Sequence, residues 1–418
     1  MTTESAHVAA TARPARSYLG ALITLTSLFF MWGLITSLND ILAPHLKAAF
    51  TLTYLQATLI QFAFFGAYFV VSLPAGWLVE RLGYKTGIII GLSIAGVGCV
   101  LFYPAAAAAA YPLFLGALFV LASGITLLQV AANPYVTILG PPRTASSRLT
   151  LTQAFNSLGT TIGPSLGTYL ILKNATVGTP AAEAALVQKP YLALAAVLFA
   201  IAIMFVSLRL PVVEGASHAA DKGSGERQAS LWSYRHLVLG VVAIFVYVGG
   251  EVAIGTLLVN FMGDPSIAAL PEKIAGTYVS FYWGGAMVGR FLGAALMWVV
   301  RPGRVLAFNA VAVVLLLSTA MLTAGETAMW CVLAVGFFNS IMFPTIFALA
   351  LTGLGKHTGE GSGVLCMAIV GGAIVPVVQG FFADHVGLLY SFAVPLVCYL
   401  YIFYYGLSGH QPRPAATA

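Results

Sequence analysis

Three ionisable side chains stand inside long apolar runs of this sequence: Asp40 in Ser37-Leu38-Asn39-Asp40, Glu251 in Gly249-Gly250-Glu251, and Arg290 directly after Gly289. If those runs cross a bilayer, each charge costs at least about 2.5–3.5 kcal/mol at mid-depth, so such residues mark a pathway or a relay. A carboxyl group held there can alternate between a neutral, protonated form and a charged one, which is the chemistry of carrying a proton. Asp40 and Glu251 are therefore the expected proton-coupling pair. The structural alternatives are an ion pair of Asp40 with His45 or Lys47, and a protonated Glu251 bonded to a neighbouring helix. Arg290 is expected to gate, either snorkelling or pairing with an acid at a helix end.

Uncharged amides form the second set. Gln129 and Asn133 are four apart and Gln153 and Asn156 three apart, so each pair shares a face once its segment is helical. An amide offers donors and an acceptor together, which suits a neutral ligand bearing many hydroxyls better than an ion or a hydrocarbon. Sugars have that chemistry. With Asn39, Gln61, Asn339 and Gln379 these four make the expected hydrogen-bonding set, and Trp32, Tyr282 and Trp283 are the rings against which the apolar face of a sugar would lie. The competing reading is that the amides only join helices, at about 0.6 kcal/mol per contact.

The elements that must position these residues follow from composition. Of 418 residues 60% are hydrophobic and only 8% charged, where a soluble domain carries about a quarter. Mean hydropathy is +0.93. A spanning helix needs about 20 apolar residues, and stretches such as 88–101 and 310–322 are apolar all round rather than alternating, which selects helices over a barrel. Apolar runs predict six spans near 18–45, 54–79, 87–107, 112–139, 149–173 and 190–210, then six near 236–262, 275–299, 303–324, 327–354, 359–383 and 388–408. The chain thus divides into a tail (1–17), a six-helix bundle (18–210), a polar linker (211–235), a second six-helix bundle (236–409) and a tail (410–418). The run after residue 17 is too long for a signal-peptide core and is read as a retained first helix.

With the N-terminus inside, fourteen Lys and Arg fall on the cytoplasmic side, four (Lys47, Lys173, Lys189, Lys273) on the other, and Arg290 within a span. That asymmetry places both termini in the cytoplasm. The halves also echo each other: Pro134 and Pro344 are 210 apart, Asp40 and Glu251 211, Pro164 and Pro376 212, and Gly76 and Gly289 213. A duplicated six-helix unit with its site between the repeats is the arrangement of many transporters. Gly159, Gly163 and Gly167 recur every four positions, which predicts close helix approach, and the four prolines weaken helix bonding where a bend would serve gating. Cys99, Cys331, Cys366 and Cys398 lie in apolar stretches without CxxC spacing, so neither disulfides nor a metal site is expected. No HExxH, GxSxG or paired Cys/His motif is present, which argues against an enzyme.

The loop Gly76-Trp77-Leu78-Val79-Glu80-Arg81-Leu82-Gly83-Tyr84-Lys85 resembles the signature loop of the major facilitator superfamily, with Glu80 where an aspartate is usual. The resemblance implies gating roles for Gly76, Glu80, Arg81, Gly83 and Lys85. Leu38-Asn39-Asp40-Ile41-Leu42-Ala43-Pro44, Phe64-Phe65-Gly66-Ala67-Tyr68, Ala131-Ala132-Asn133-Pro134-Tyr135-Val136-Thr137 and Gln153-Ala154-Phe155-Asn156-Ser157 look like the fucose:proton symporter family, over roughly residues 29–382. That resemblance implies a twelve-helix sugar:cation symporter of the bacterial inner membrane working by alternating access. It also implies that Asp40 matches one membrane acid, that Gln129 stands where the fucose branch has the other, and that Gln153 and Asn156 line the cavity. Gln129 and Tyr247-Val248-Gly249-Gly250-Glu251-Val252 look more like the glucose/galactose branch.

The expectation is therefore inward, cation-coupled transport of a neutral hexose, glucose or galactose first, with the proton favoured. Sodium coupling and other sugars (L-fucose, N-acetylglucosamine, mannose, fructose, sucrose) are the alternatives within the family. A drug or metabolite exporter on the same fold is the rival of another class. The expected partners are the sugar, the cation and the lipid bilayer; no cofactor or nucleic acid is expected, and the chain is read as a monomer.

Overall fold

The computed structural model describes residues 16–49, 54–108, 110–167, 188–208 and 230–412, with the backbone alone for 16–17, 38–49, 54–58 and 164–167. The described residues are helical with no strand. In hydrocarbon every backbone group must find a partner within its own segment, and the helix is the local solution. The first half contains α1 (Arg16–Ala49), α2 (Tyr54–Leu82), α3 (Tyr84–Ala107), α4 (Tyr111–Ile138), α5 (Ala145–Gly167) and α6 (Gln188–Ser207). The second contains α7 (Arg235–Gly263), α8 (Glu272–Leu296) and α9 (Pro302–Leu322), then α10 (Gly325–Asn339) continued after a break by α11 (Met342–Ala350). It ends with α12 (Thr358–Met367) continued by α13 (Gly371–Val386), and α14 (Leu388–Ser391) continued by α15 (Ala393–Tyr404). Large apolar side chains such as Ile203, Leu315 and Val397 are exposed on the flanks, as a lipid-facing surface requires.

Ten segments are long and apolar enough to span by composition. The two remaining long helices, α5 and α8, fall short because they carry the polar residues, and they pack on each other between the halves. Within each half the same pairings recur: first helix on fifth, second on fourth, third on fourth and sixth. That repetition is the duplication expected from the spacing of Pro134/Pro344 and Asp40/Glu251. α5 can lie flush on α1 because a side chain at Gly159 would run into the Phe30 carbonyl, and Gly33 faces the Asn156 backbone from the other side.

The loops 82–84, 139–144, 299–301 and 351–357 gather Arg81, Lys85, Arg143, Arg301, Arg304 and Lys356 at one end of the bundle, called here the basic end. The halves close against each other at that end. α2 packs on α12 and α5 on α8 and α11, and Ser147 Oγ donates to the Ala294 carbonyl at 2.5 Å near the end of α8. A Cβ at Gly76 would lie 3.0 Å from the Gly359 carbonyl and 3.3 Å from the Gly363 Cα, so α2 and α12 touch backbone to backbone.

Some basic residues there do local work. Arg148 donates to the carbonyls of Thr137 at 2.8 Å and Val136 at 3.4 Å, which belong to the unsatisfied last turn of α4. Lys85 Nζ donates to Val206 and Leu208 at 3.0 and 2.8 Å and closes α6 likewise. The cap of α3 is Gly83, whose φ of 82° only glycine adopts without strain. Arg81 stacks over Trp77, 3.8 Å from the ring centroid. Of the loop residues expected to gate, Arg81, Gly83 and Lys85 thus bond within their own half. Gly76 and Glu80 stand at the seam, Glu80 within 4.8 Å of ligand atoms on His357 and Glu360.

Candidate functional site

Between the halves, away from the basic end, lies a cavity of about 680 Å³, within the roughly 300–1,000 Å³ typical of small-molecule sites. The first half contributes Trp32 and Thr36 from α1, Gln61 and Tyr68 from α2, Gln129 from α4, and Gln153 and Asn156 from α5. The second contributes Glu251 and Thr256 from α7 and Trp283 and Arg290 from α8, with Phe343 and Ile369 beneath. Among the described residues the wall thus carries four amides, two indoles, one acid and one base.

The amides are not used up by the protein. Gln153 has no side-chain partner among the described residues and turns to the cavity. Gln129 donates from Nε2 to the Tyr68 hydroxyl at 2.6 Å, while its Oε1 is buried without a partner among the described residues. Asn156 Nδ2 donates to the Phe29 carbonyl at 2.9 Å, which ties α5 to α1 and sets the height of the amide. Buried polar groups are normally paired, so the Gln153 amide at the cavity wall is the group most open to a ligand's hydroxyls. Trp32 is pinned against Phe29, ring centroids 5.4 Å apart, and Trp283 stands edge-on to Tyr282 at 5.1 Å.

Glu251 sits at mid-helix on the opposite wall. Its Oε1 is 2.8 Å from the Tyr247 hydroxyl, which is also 3.0 Å from the Asn339 carbonyl. A phenol has one proton to give. With Glu251 ionised that proton goes to the carboxylate; with Glu251 protonated, the carboxyl can donate to Tyr247 and Tyr247 to Asn339. Arg290 lies within electrostatic reach of Glu251. Its Nε donates to the Ser340 carbonyl at 3.0 Å, and its Nη1 reaches Ser157 Oγ on α5. Arg290, expected to gate by snorkelling or by pairing with an acid at a helix end, lines the cavity, and its guanidinium finds partners on both halves.

Several expected ligand residues lie elsewhere. Asn133 is fully buried one turn from Gln129, with neither end of its amide partnered among the described residues. Tyr282 and Asn339 lie behind the wall: Asn339 Nδ2 donates to the Tyr282 hydroxyl at 2.9 Å, and both are fully buried. Gln379 is also fully buried and donates to Ser391 Oγ at 3.4 Å, joining α13 to α14. These polar groups are consumed by helix contacts or hidden by the packing, so they do not reach the cavity. The side chains of Asn39 and Asp40 lie outside the described residues. Thr36 and Thr256, which line the cavity, were missed by sequence reasoning; Thr36 is one turn beyond Trp32, so helical spacing from that residue would have found it.

The model of the Major Facilitator Superfamily matches residues 21–369. A "Glucose/galactose transporter" of Brucella abortus biovar 1 (strain 9-941) is 59% identical over 396 residues, 95% of each chain. The "L-fucose-proton symporter" of Escherichia coli (strain K12) is 37% identical over 411 residues, 93% of each. A crystal structure of the major facilitator transporter FucP in the outward conformation superposes with a TM-score of 0.87 at 35% identity, covering 94% of this chain and all of that one.

Proposed function

The chain belongs to the major facilitator superfamily, and from that membership we propose that it imports a neutral hexose, glucose or galactose, together with a proton by alternating access. The observation that carries the sugar is the wall of amides, Gln153 with Gln129 and Asn156 near it and Trp32 on the same half, facing Trp283 across the cavity. Such a wall can bond several hydroxyls at once and cover an apolar sugar face with an indole. The relatives named for glucose/galactose and for L-fucose with a proton support the same class.

The Lys and Arg bias puts the basic end on the cytoplasmic side, so in this reading the cavity opens outward, the inner gate is shut, and both termini lie on the cytoplasmic side of a bacterial plasma membrane. Sugar and proton enter from outside. Asp40 and Glu251, each in the first helix of its half, are the proposed proton carriers. At Glu251 the proton decides whether Tyr247 bonds the carboxylate or the Asn339 carbonyl, so its protonation acts on the break between α10 and α11. Cavity charge and helix geometry then change together, which is what lets a proton bias the side that opens.

Uptake of labelled glucose, galactose and L-fucose by the purified protein in liposomes, with proton and sodium gradients imposed separately, tests this reading. Accumulation of glucose and galactose under an inward proton gradient is the expected result. Outward movement of a hydrophobic cation with no hexose uptake under either gradient would replace it with the exporter reading, and uptake only with sodium would change the coupling ion.

A further inference from the structure

Proline has no amide hydrogen, so a proline in a helix leaves the carbonyl four residues earlier without its helical donor. Pro134 does this to Val130 in α4, and Pro344 does it to Ser340 at the break between α10 and α11. Both residues are buried, at 0% and 1% exposure, where an unpaired carbonyl is costly. Each carbonyl has found a side chain at the seam between the halves. Ser362 Oγ on α12 donates to Val130 O at 2.8 Å, from one half to the other. Arg290 Nε donates to Ser340 O at 3.0 Å within the second half, and its Nη1 continues to Ser157 Oγ in the first. The two carbonyls are 210 residues apart, as are the two prolines, so they occupy equivalent places in the two repeats, although their donors come from different helices.

We infer that these two proline-freed carbonyls are the docking points that position one half on the other, with Ser362 and the Arg290/Ser157 pair as positioning residues that hold the basic end shut. The inference rests on the transport reading for its consequence, since a transporter must break and remake this seam in every cycle. Each helix withholds a hydrogen bond from itself and receives it from the seam. The two sites differ on opening. Separation of α12 from α4 leaves Val130 O to be met by water entering the gap, whereas Arg290 keeps Ser340 O and gives up only Ser157. The Ser362 contact is thus the one whose loss is tied to its proline: an alanine at 134 would restore an N–H to Val130 O within α4, and the closed seam would no longer be needed to satisfy that carbonyl.

The test is a distance measurement on the full-length protein in lipid nanodiscs without sugar. Spin labels are placed by Arg143→Cys and Lys356→Cys, one on a basic-end loop of each half, in a chain whose four native cysteines are replaced. Ser362→Ala should move the ratio of long-distance to short-distance populations toward long by about threefold to tenfold, the worth of one net hydrogen bond. Ser157→Ala should move it in the same direction. In a Pro134→Ala background the effect of Ser362→Ala should fall below about twofold. A serine that merely fills space would shift the distances equally with or without the proline. No shift in either single variant, or an equal Ser362→Ala shift in both backgrounds, overturns the inference. Binding of labelled galactose is read separately on the same samples; its absence from the unsubstituted protein would overturn the sugar reading and leave the distance result standing.

Discussion

Gln153→Ala is the substitution whose outcome the cavity geometry specifies most fully. The Gln153 side chain lines the cavity, is 7% exposed, and has no partner among the described residues, so its removal breaks no hydrogen bond that holds the fold together. Any loss it causes must then be a loss to the ligand. One amide can reach one or two sugar hydroxyls at about 0.5–1.5 kcal/mol net each. A loss of roughly 1–2 kcal/mol raises Kd about fivefold to thirtyfold. Equilibrium binding of tritiated galactose to detergent-purified protein reads this directly, with the melting temperature as a control that should move by no more than a degree or two. Asn156→Ala provides the contrast. It also loses the 2.9 Å bond to Phe29 that ties α5 to α1, so its weaker binding should come with a lower melting temperature. Gln379→Ala, which lies off the wall, should lower stability and leave Kd unchanged. Wild-type affinity in a folded Gln153→Ala protein would refute the reasoning, because it would leave the amide face without a ligand.

Three further outcomes follow from other parts of the molecule. Asp40→Asn, which mimics the protonated acid, should abolish gradient-driven accumulation of hexose yet spare exchange of labelled for unlabelled sugar, measured in the same liposomes; accumulation against a gradient by this variant would remove Asp40 from the coupling role. Gly76→Val should lower the initial uptake rate about tenfold, because its Cβ would press on Gly359 and Gly363 and overpacking of this kind costs about 1–3 kcal/mol; an unchanged rate would show that the contact of α2 with α12 is not part of the cycle. Lys85→Met should cost about 1 kcal/mol of stability, seen as a lower melting temperature, by uncapping the Val206 and Leu208 carbonyls, while the folded protein keeps its Kd for galactose.

Much of this arrangement is legible in the residues before any coordinates are drawn, because hydrocarbon penalises polarity so heavily that every exception carries information. The runs around Ile88 and Ala310 announce helices by composition, and the 210–213 spacing of prolines, acids and glycines announces the repeat. Gln129, Gln153, Asn156, Glu251 and the two indoles could be chosen because a polar or bulky group at mid-span needs a reason. The same rule could not separate a ligand wall from helix glue. Asn339, Asn133 and Gln379 meet it equally, and their direction depends on rotation about the helix axis, which packing sets. The partners of Arg290 were hidden for a related reason: its place in one helix is legible, whereas Ser340 and Ser157 come from two others. The prolines were legible as weak points, but not the seam donors that complete them, since Ser362 and Val130 lie 232 residues apart.

The central claim is that sugar and proton move inward together, and the most direct measurement is luminal pH in liposomes loaded with a pH-sensitive dye when galactose is added outside without any imposed gradient. The account predicts that galactose acidifies the lumen, that the acidification saturates with sugar, and that Asp40→Asn abolishes it. Entry of labelled galactose at an unchanging luminal pH, in the unsubstituted protein, would contradict it.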